Sequence, residues 1–135
     1  MDNKFPGKDI TIEDLKTKFP LVAKKNSSHK SIFEISGVEF GGQTIPIFAG
    51  PNMVESKELI FDVAKNVKLI GAHFLRGGAF KPLTFPYRSK KYNETREDGI
   101  KWLNEVKNEV GIPIITEIME EIYVDLIAGT ADILQ

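Results

Sequence analysis

Four short apolar runs decide what this chain can fold into: IPIFA at 45–49, LIGAHFL at 69–75, IPIIT at 112–116 and ADIL at 131–134. Each is rich in Ile and Leu and shows little alternation of polarity. A strand wetted on one side alternates, whereas a continuously apolar one is covered on both faces, as parallel strands are. The intervals between the runs carry helical periodicity instead. Leu59, Ile60, Val63, Ala64 and Val67 form one stripe behind Ser56, a residue type suited to the N-cap. Ile100, Leu103, Val106 and Val110 form a second, with Thr95 and Asp98 in capping-box spacing and Gly111 at the stop. Ile122, Leu126 and Ile127, closed by Gly129, form a short third. The order β-α-β-α-β-α-β argues an α/β fold around a parallel sheet. A full barrel of such units takes about 250 residues, so four of them in 135 residues read as the first half of a (β/α)8 TIM barrel. A compact four-stranded open sheet is the alternative. The run ending at Gln135 is expected to leave an open ladder edge.

Residues 1–31 stand apart as a polar, lysine-rich extension and linker, and the barrel portion is expected over 32–135. Within the extension, Ile12, Leu15 and Phe19 before Pro20 predict one short helix, and KKNSSHKS at 24–31 reads as a linker. FEISGVEFGGQTIPIFAG, broken at Gly37 and at Gly41-Gly42, carries a hairpin signal. With 41% hydrophobic and 27% charged residues and a net charge of −1, the chain suits one globular domain. That balance gives neither nucleic acid nor an anionic membrane a bulk electrostatic hold. The absence of cysteine excludes disulfides, thiolate metal sites and cysteine nucleophiles. MDNKFPGKDI has no apolar signal-peptide core, and no run approaches the roughly 18 apolar residues of a membrane span. A reducing, cytoplasmic setting is expected.

Polar residues collect where ligands meet βα units, at the carboxyl ends of the strands. Asn52 and Glu55 follow the first run, Arg76 and Lys81 the second, and Glu117 the third. Alternation along LIGAHFLR places Ala72, Phe74 and Arg76 on one face, and His73 with Leu75 on the other. Arg76 thus points to the strand-end mouth. His73 turns toward a helix layer and reads as a packed histidine, and His29 lies in the polar linker. Arg76 and Lys81, with Gly77-Gly78 allowing close backbone approach, suit a small dianion: arginine offers a planar fork and lysine a point charge. The alternative is a surface ion pair beside a glycine turn. Glu55 and Glu117 are candidate acids or bases, although Glu55 equally suits the first turn of its helix. SKKYNETRED at 89–98 reads as an exposed loop and helix start.

The wording of these loops is more specific than the pattern. IFAGPNMVES, GAHFLRGGAFKPLTFPY, GIKWLNEVKNEVGIPIITEIME and ADILQ resemble, in order and spacing, the first half of 3-deoxy-7-phosphoheptulonate (DAHP) synthase. The resemblance is to the class related to 3-deoxy-8-phosphooctulonate (KDO8P) synthase and covers residues 45–135. It implies a (β/α)8 barrel and a transferase that condenses phosphoenolpyruvate with erythrose 4-phosphate, the first step of the shikimate pathway to aromatic amino acids. It further implies that Arg76 and Lys81 hold phosphoenolpyruvate with Gly77, Gly78 and Thr84, and that Lys81 and Glu117 serve catalysis.

Three departures accompany the resemblance. Asn52 stands where the family keeps a cysteine that ligates a divalent metal such as Mn, Fe or Zn; asparagine offers no thiolate, so no metal ligand is assigned. Asparagine there resembles the metal-independent KDO8P synthases, which use arabinose 5-phosphate. Leu83 in KPLT replaces the arginine that grips the aldose phosphate, although KPLTFPY otherwise follows the DAHP branch. The later strands, with their phosphate-binding residues, do not occur in these 135 residues. The chain is therefore expected to be incompetent alone, with the missing half supplied by a longer parent protein, a complementary half-barrel chain or a homo-oligomer. The alternative is a non-catalytic half-barrel that binds an anion or a partner.

Overall fold

The computed structural model describes residues 11–81 and 94–135, so Leu83 and Thr84 lie outside the described residues. The extension forms α1 (Ile12–Lys18), closed at its start by a capping box in which Thr11 Oγ1 accepts from the Asp14 N–H at 3.1 Å. Its apolar stripe stays exposed, because none of its residues is buried. The hairpin joins β1 (Phe33–Ile35) to β2 (Val38–Phe40) through Ser36 and Gly37. Both turn residues have positive φ, 50° and 79°, the two-residue geometry whose twist matches that of the flanking strands.

The main sheet comprises β3 (Phe48–Ala49), β4 (Phe74–Arg76), β5 (Ile114–Thr116) and β6 (Ile133–Leu134), adjacent in that order and all parallel. Between them run α2 (Lys57–Leu69), α3 (Arg96–Val110) and a 3₁₀ turn (Glu121–Tyr123) leading into α4 (Val124–Ala128). This order of parallel strands and helices is the α/β arrangement read from the apolar runs, and it fits half of a (β/α)8 barrel. Ser56 caps α2 by accepting from the Leu59 N–H at 3.2 Å, and Gly111 ends α3 in the left-handed region at φ 68°.

Two local expectations are corrected. Leu69 and Ile70 are not strand residues: they lie at the C-terminus of α2, 84% and 80% exposed, and the strand begins only at Phe74. Thr95 has helical backbone and makes no capping bond; its hydroxyl donates to the Val54 carbonyl at 2.9 Å instead.

Alternation along β4 divides two packed regions. Leu75 joins Ile114, the α2 residues Ile60 and Ala64, the α3 residues Ile100, Leu103 and Val106, and Ile127 of α4 in the sheet–helix core. Phe74 faces the other way and is fully buried against Phe48 and Phe40, at ring-centroid distances of 5.1 and 5.8 Å. Phe33 stacks on Phe40 at 5.0 Å, so the hairpin covers the inner face of the sheet below Arg76. At this amino end Asp132 ties hairpin, sheet and helix together. It accepts from Ser36 Oγ at 2.7 Å, from the Ile114 N–H at 2.8 Å and from Lys107 Nζ at 3.0 Å. Burial works to raise the Asp132 carboxyl, but those donors outweigh it and hold the group below its ordinary value of 3.8. No helix among the described residues is long and apolar enough to cross a membrane.

Candidate functional site

Arg76 is the last residue of β4, and the strand ladder aims it into the mouth at the carboxyl ends. Gly77 continues the ladder by donating its N–H to Ile115 O at 3.2 Å. The Thr116 hydroxyl donates to Gly77 O at 2.6 Å, and the Val54 N–H to Gly78 O at 2.9 Å, which fixes the glycine pair between the ends of β3 and β5. Glycine is required here by contact. A Cβ at Gly78 would lie 2.6 Å from Glu117 Oε2 and 3.0 Å from Asn52 O. A Cβ at Gly77 would press Val54 Cγ2 at 3.0 Å, and at Gly50, where φ is 148°, it would lie 2.0 Å from Arg76 O.

Three charged side chains meet in this frame. Glu117, immediately after β5, accepts with Oε1 from both Arg76 Nη2 and Lys81 Nζ, the latter at 2.9 Å. Arg76 Nη1 donates to Asn52 O at 3.0 Å and to Asn52 Oδ1 at 3.3 Å, and Nε donates to Gln135 Oε1 at 3.4 Å. Arg76 and Lys81 keep side-chain exposures of 20% and 27%, while Glu117 retains only 8%. Two cations and one carboxylate leave the cluster with an excess positive charge at a partly open mouth, where a bidentate guanidinium and an ammonium can receive an anion.

Arg76, Lys81, Gly77, Gly78, Glu117 and Asn52 therefore come together, and Glu55 does not join them: it is exposed and precedes the Ser56 cap rather than entering the helix. His73 accepts the Ile47 N–H on Nδ1 at 3.1 Å, a backbone-bracing role, and His29 accepts the Lys25 N–H at 3.3 Å. Gln135 and Gly50 enter the site without having been singled out in the sequence. Their only signal is position, each one residue past a strand run. The metal that the resemblance implies does not fit the donors present. Asn52 Oδ1 faces a guanidinium, an unfavourable neighbour for a cation. Among the described residues no group of three or more His, Cys, Asp or Glu side chains is placed to hold a metal ion.

Comparison with known proteins gives this geometry its context. Residues 20–135 match the profile of the DAHP synthetase I family. The chain is 31% identical over 117 residues to phospho-2-dehydro-3-deoxyheptonate aldolase of Thermotoga maritima, covering 87% of this chain and 34% of that protein. It is 30% identical over 107 residues to 2-dehydro-3-deoxyphosphooctonate aldolase of Stenotrophomonas maltophilia, covering 76% and 39%. A crystal structure of the Thermotoga maritima DAHP synthase superimposes with a TM-score of 0.69 at 28% identity, covering 81% of this chain and 30% of that one. A truncated form of the enzyme from the same organism superimposes at 0.66, covering 81% and 37%. The chain thus spans a little over a third of the length of the curated relatives it matches.

Proposed function

We propose a function from one premise: the chain belongs to the DAHP synthetase I family. It supplies the phosphoenolpyruvate-binding part of an aldol-type condensation with erythrose 4-phosphate, the DAHP synthase reaction. The observation that carries this reading is the convergence of Arg76 and Lys81 on one oxygen of Glu117 at the carboxyl ends of parallel strands. Arg76, braced by Asn52 and Gln135, is pre-oriented to present a planar fork to a carboxylate or phosphate. Lys81 adds an ammonium that neutralises the bound anion. Catalysis requires charge stabilisation at the reacting end of phosphoenolpyruvate, and groups fixed before the substrate arrives supply it without reorganisation. Glu117 sets the distance between the two cations and is the carboxyl group nearest the bound anion. Thr84, by resemblance, is a further substrate contact. The rest of the site lies outside these 135 residues, on a longer parent protein, a complementary half-barrel or a second copy of the chain, in the cytoplasm.

A second reading has its own support. Asn52 in place of a thiolate, together with relatives named 2-dehydro-3-deoxyphosphooctonate aldolase at 30 to 31% identity, favours a metal-independent condensation with arabinose 5-phosphate. Titration calorimetry of phosphoenolpyruvate against the wild type and Arg76→Ala tests the shared premise. A charge-assisted contact is worth roughly 1.5 to 3 kcal/mol, so Arg76→Ala is expected to weaken binding about tenfold or more. Equal binding by both proteins overturns the assignment. Phosphoenolpyruvate consumption with each aldose phosphate, with and without divalent metal, then separates the two condensations. Binding without turnover, alone or with added second half, identifies an anion-binding half-barrel.

A further inference from the structure

Glu117 is unevenly used. Its Oε1 accepts from both cations, while Oε2 is buried and has no hydrogen-bond partner among the described residues. An ionised carboxylate with one naked, buried oxygen is costly to maintain, because each buried lone pair normally finds a donor. Among the described residues none of the neighbouring groups donates to Oε2. Arg76 comes from β4, Lys81 from the loop after it, and Asn52 and Gln135 spend their oxygens on Arg76. Thr116 of β5 gives its hydroxyl to Gly77 O. Among the described residues the two cations are the charged groups that bond Glu117, and neither reaches Oε2.

An incoming dianion has to take the same two cations. It then lies beside the Glu117 carboxylate, whose side chain is only 8% exposed, and like charges at hydrogen-bond distance beside so buried a group do not both stay ionised. Oε2 fills the space that Gly78 leaves open, where a Cβ would lie 2.6 Å from it, so moving Glu117 aside gives up that seat. Taking up a proton requires no movement, and Oε2 is the oxygen free to receive it. We propose that Glu117 is a proton-coupled placeholder for the anion: it neutralises Arg76 and Lys81 in the empty site and becomes a carboxylic acid when the ligand enters. This deepens the phosphoenolpyruvate-site reading and rests on it. The proton comes from the acid form of the buffer, whose N–H or O–H bond breaks as the O–H bond at Oε2 forms. The cluster then goes from one excess positive charge to two, matching a dianion.

Inorganic sulfate, which carries no proton to exchange near neutrality, isolates the protein's own proton. Calorimetric titration with sulfate between pH 6 and 8 is expected to show affinity falling about tenfold per pH unit as pH rises, the slope of one proton taken up. The measured heat is expected to differ between two buffers of unlike ionisation enthalpy by one proton's worth. Glu117→Gln is expected to bind sulfate at pH 8 at least as tightly as the wild type, with a flat pH profile and no buffer effect. Sulfate binding by wild type with a flat profile overturns the proton coupling and leaves the anion site standing. Binding of neither sulfate nor phosphoenolpyruvate by wild type overturns the site and the coupling together. The wild-type pH and buffer series decides the matter even if Glu117→Gln fails to fold.

Discussion

The two ends of the sheet each hold a carboxylate among hydrogen-bond donors, and they use it in opposite ways. At the amino end Asp132 is saturated: Ser36 and Lys107 take Oδ1, and the Ile114 N–H takes Oδ2. At the carboxyl end Glu117 crowds Arg76 and Lys81 onto one oxygen and leaves the other bare. A saturated carboxylate joins parts of a fold, since every lone pair it spends fixes a neighbour. An unsaturated one beside partly exposed cations is a fold waiting for something. Net charge alone does not separate the two. The count of unspent donors and acceptors does: it marks Asp132 as a tie between parts of the fold and leaves the carboxyl end with the features expected of the proposed anion site.

The largest expected effect tests the saturated end. Asp132→Ala orphans the Ile114 N–H, leaves the half-buried Lys107 with only the Thr130 carbonyl at 2.9 Å and no counter-charge, and releases the Ser36 turn from the sheet. Urea unfolding is expected to show a loss of about 3 kcal/mol, while anion binding by the folded fraction is unchanged. The pH dependence follows in sign. The folded carboxyl sits below its ordinary value of 3.8, so its contribution is complete above that value and is lost as pH falls further, through the folded value. The stability gap between wild type and Asp132→Asn is therefore expected to narrow in acid below about pH 3.8. A gap that stays constant down to pH 2, or a loss of anion binding in Asp132→Ala, breaks the division between the two ends.

Gly78→Ala probes the other end and is expected to do less to stability and more to binding. The added methyl meets the Glu117 carboxylate at 2.6 Å and Asn52 O at 3.0 Å, one a side chain and one a backbone oxygen. Overpacking of this kind costs about 2 kcal/mol. It also pushes Glu117 off its position between the two cations, so sulfate affinity is expected to change by at least severalfold. Unchanged calorimetric affinity in Gly78→Ala means that the glycine serves the turn and not the site.

How much of this was legible beforehand depended on whether the signal was periodic or local. The four apolar runs and the α2 and α3 stripes were legible because a covered strand and an amphipathic helix leave patterns in residue type alone. The second run nevertheless overreached, since Leu69 and Ile70 are as apolar as strand residues but lie exposed at a helix end. Arg76, Lys81 and Gly78 stood out as a dense chemical cluster. The partner that organises them, Glu117, lies 36 and 41 residues away, a separation over which spacing carries no pairing information. Asp132 was harder still. Inside ADIL it looks like a strand residue, and its bond to Ser36 spans 96 positions.

Thr95 is the smallest test and the one that best separates local pattern from tertiary use. Thr95 and Asp98 have the spacing of a capping box, yet the Thr95 backbone is helical and its hydroxyl gives its proton to Val54 O at 2.9 Å. Val54 in turn gives its N–H to Gly78 O, so the start of α3 reaches the site through two hydrogen bonds. If Thr95 acted as a cap, aspartate would replace it at no cost, being as good an acceptor and better placed against the helix dipole. An ionised aspartate donates nothing, however, and would set a negative charge against the Val54 carbonyl. Thr95→Asp is therefore expected to lower stability by about 1 kcal/mol in urea unfolding, while Thr95→Ser, which keeps the donor, stays within a few tenths. A neutral or stabilising aspartate would restore the capping role and detach α3 from the site. The expected loss would instead make Thr95 the outermost prop of the Gly78 carbonyl, through Val54, and so of the carboxyl end of the sheet.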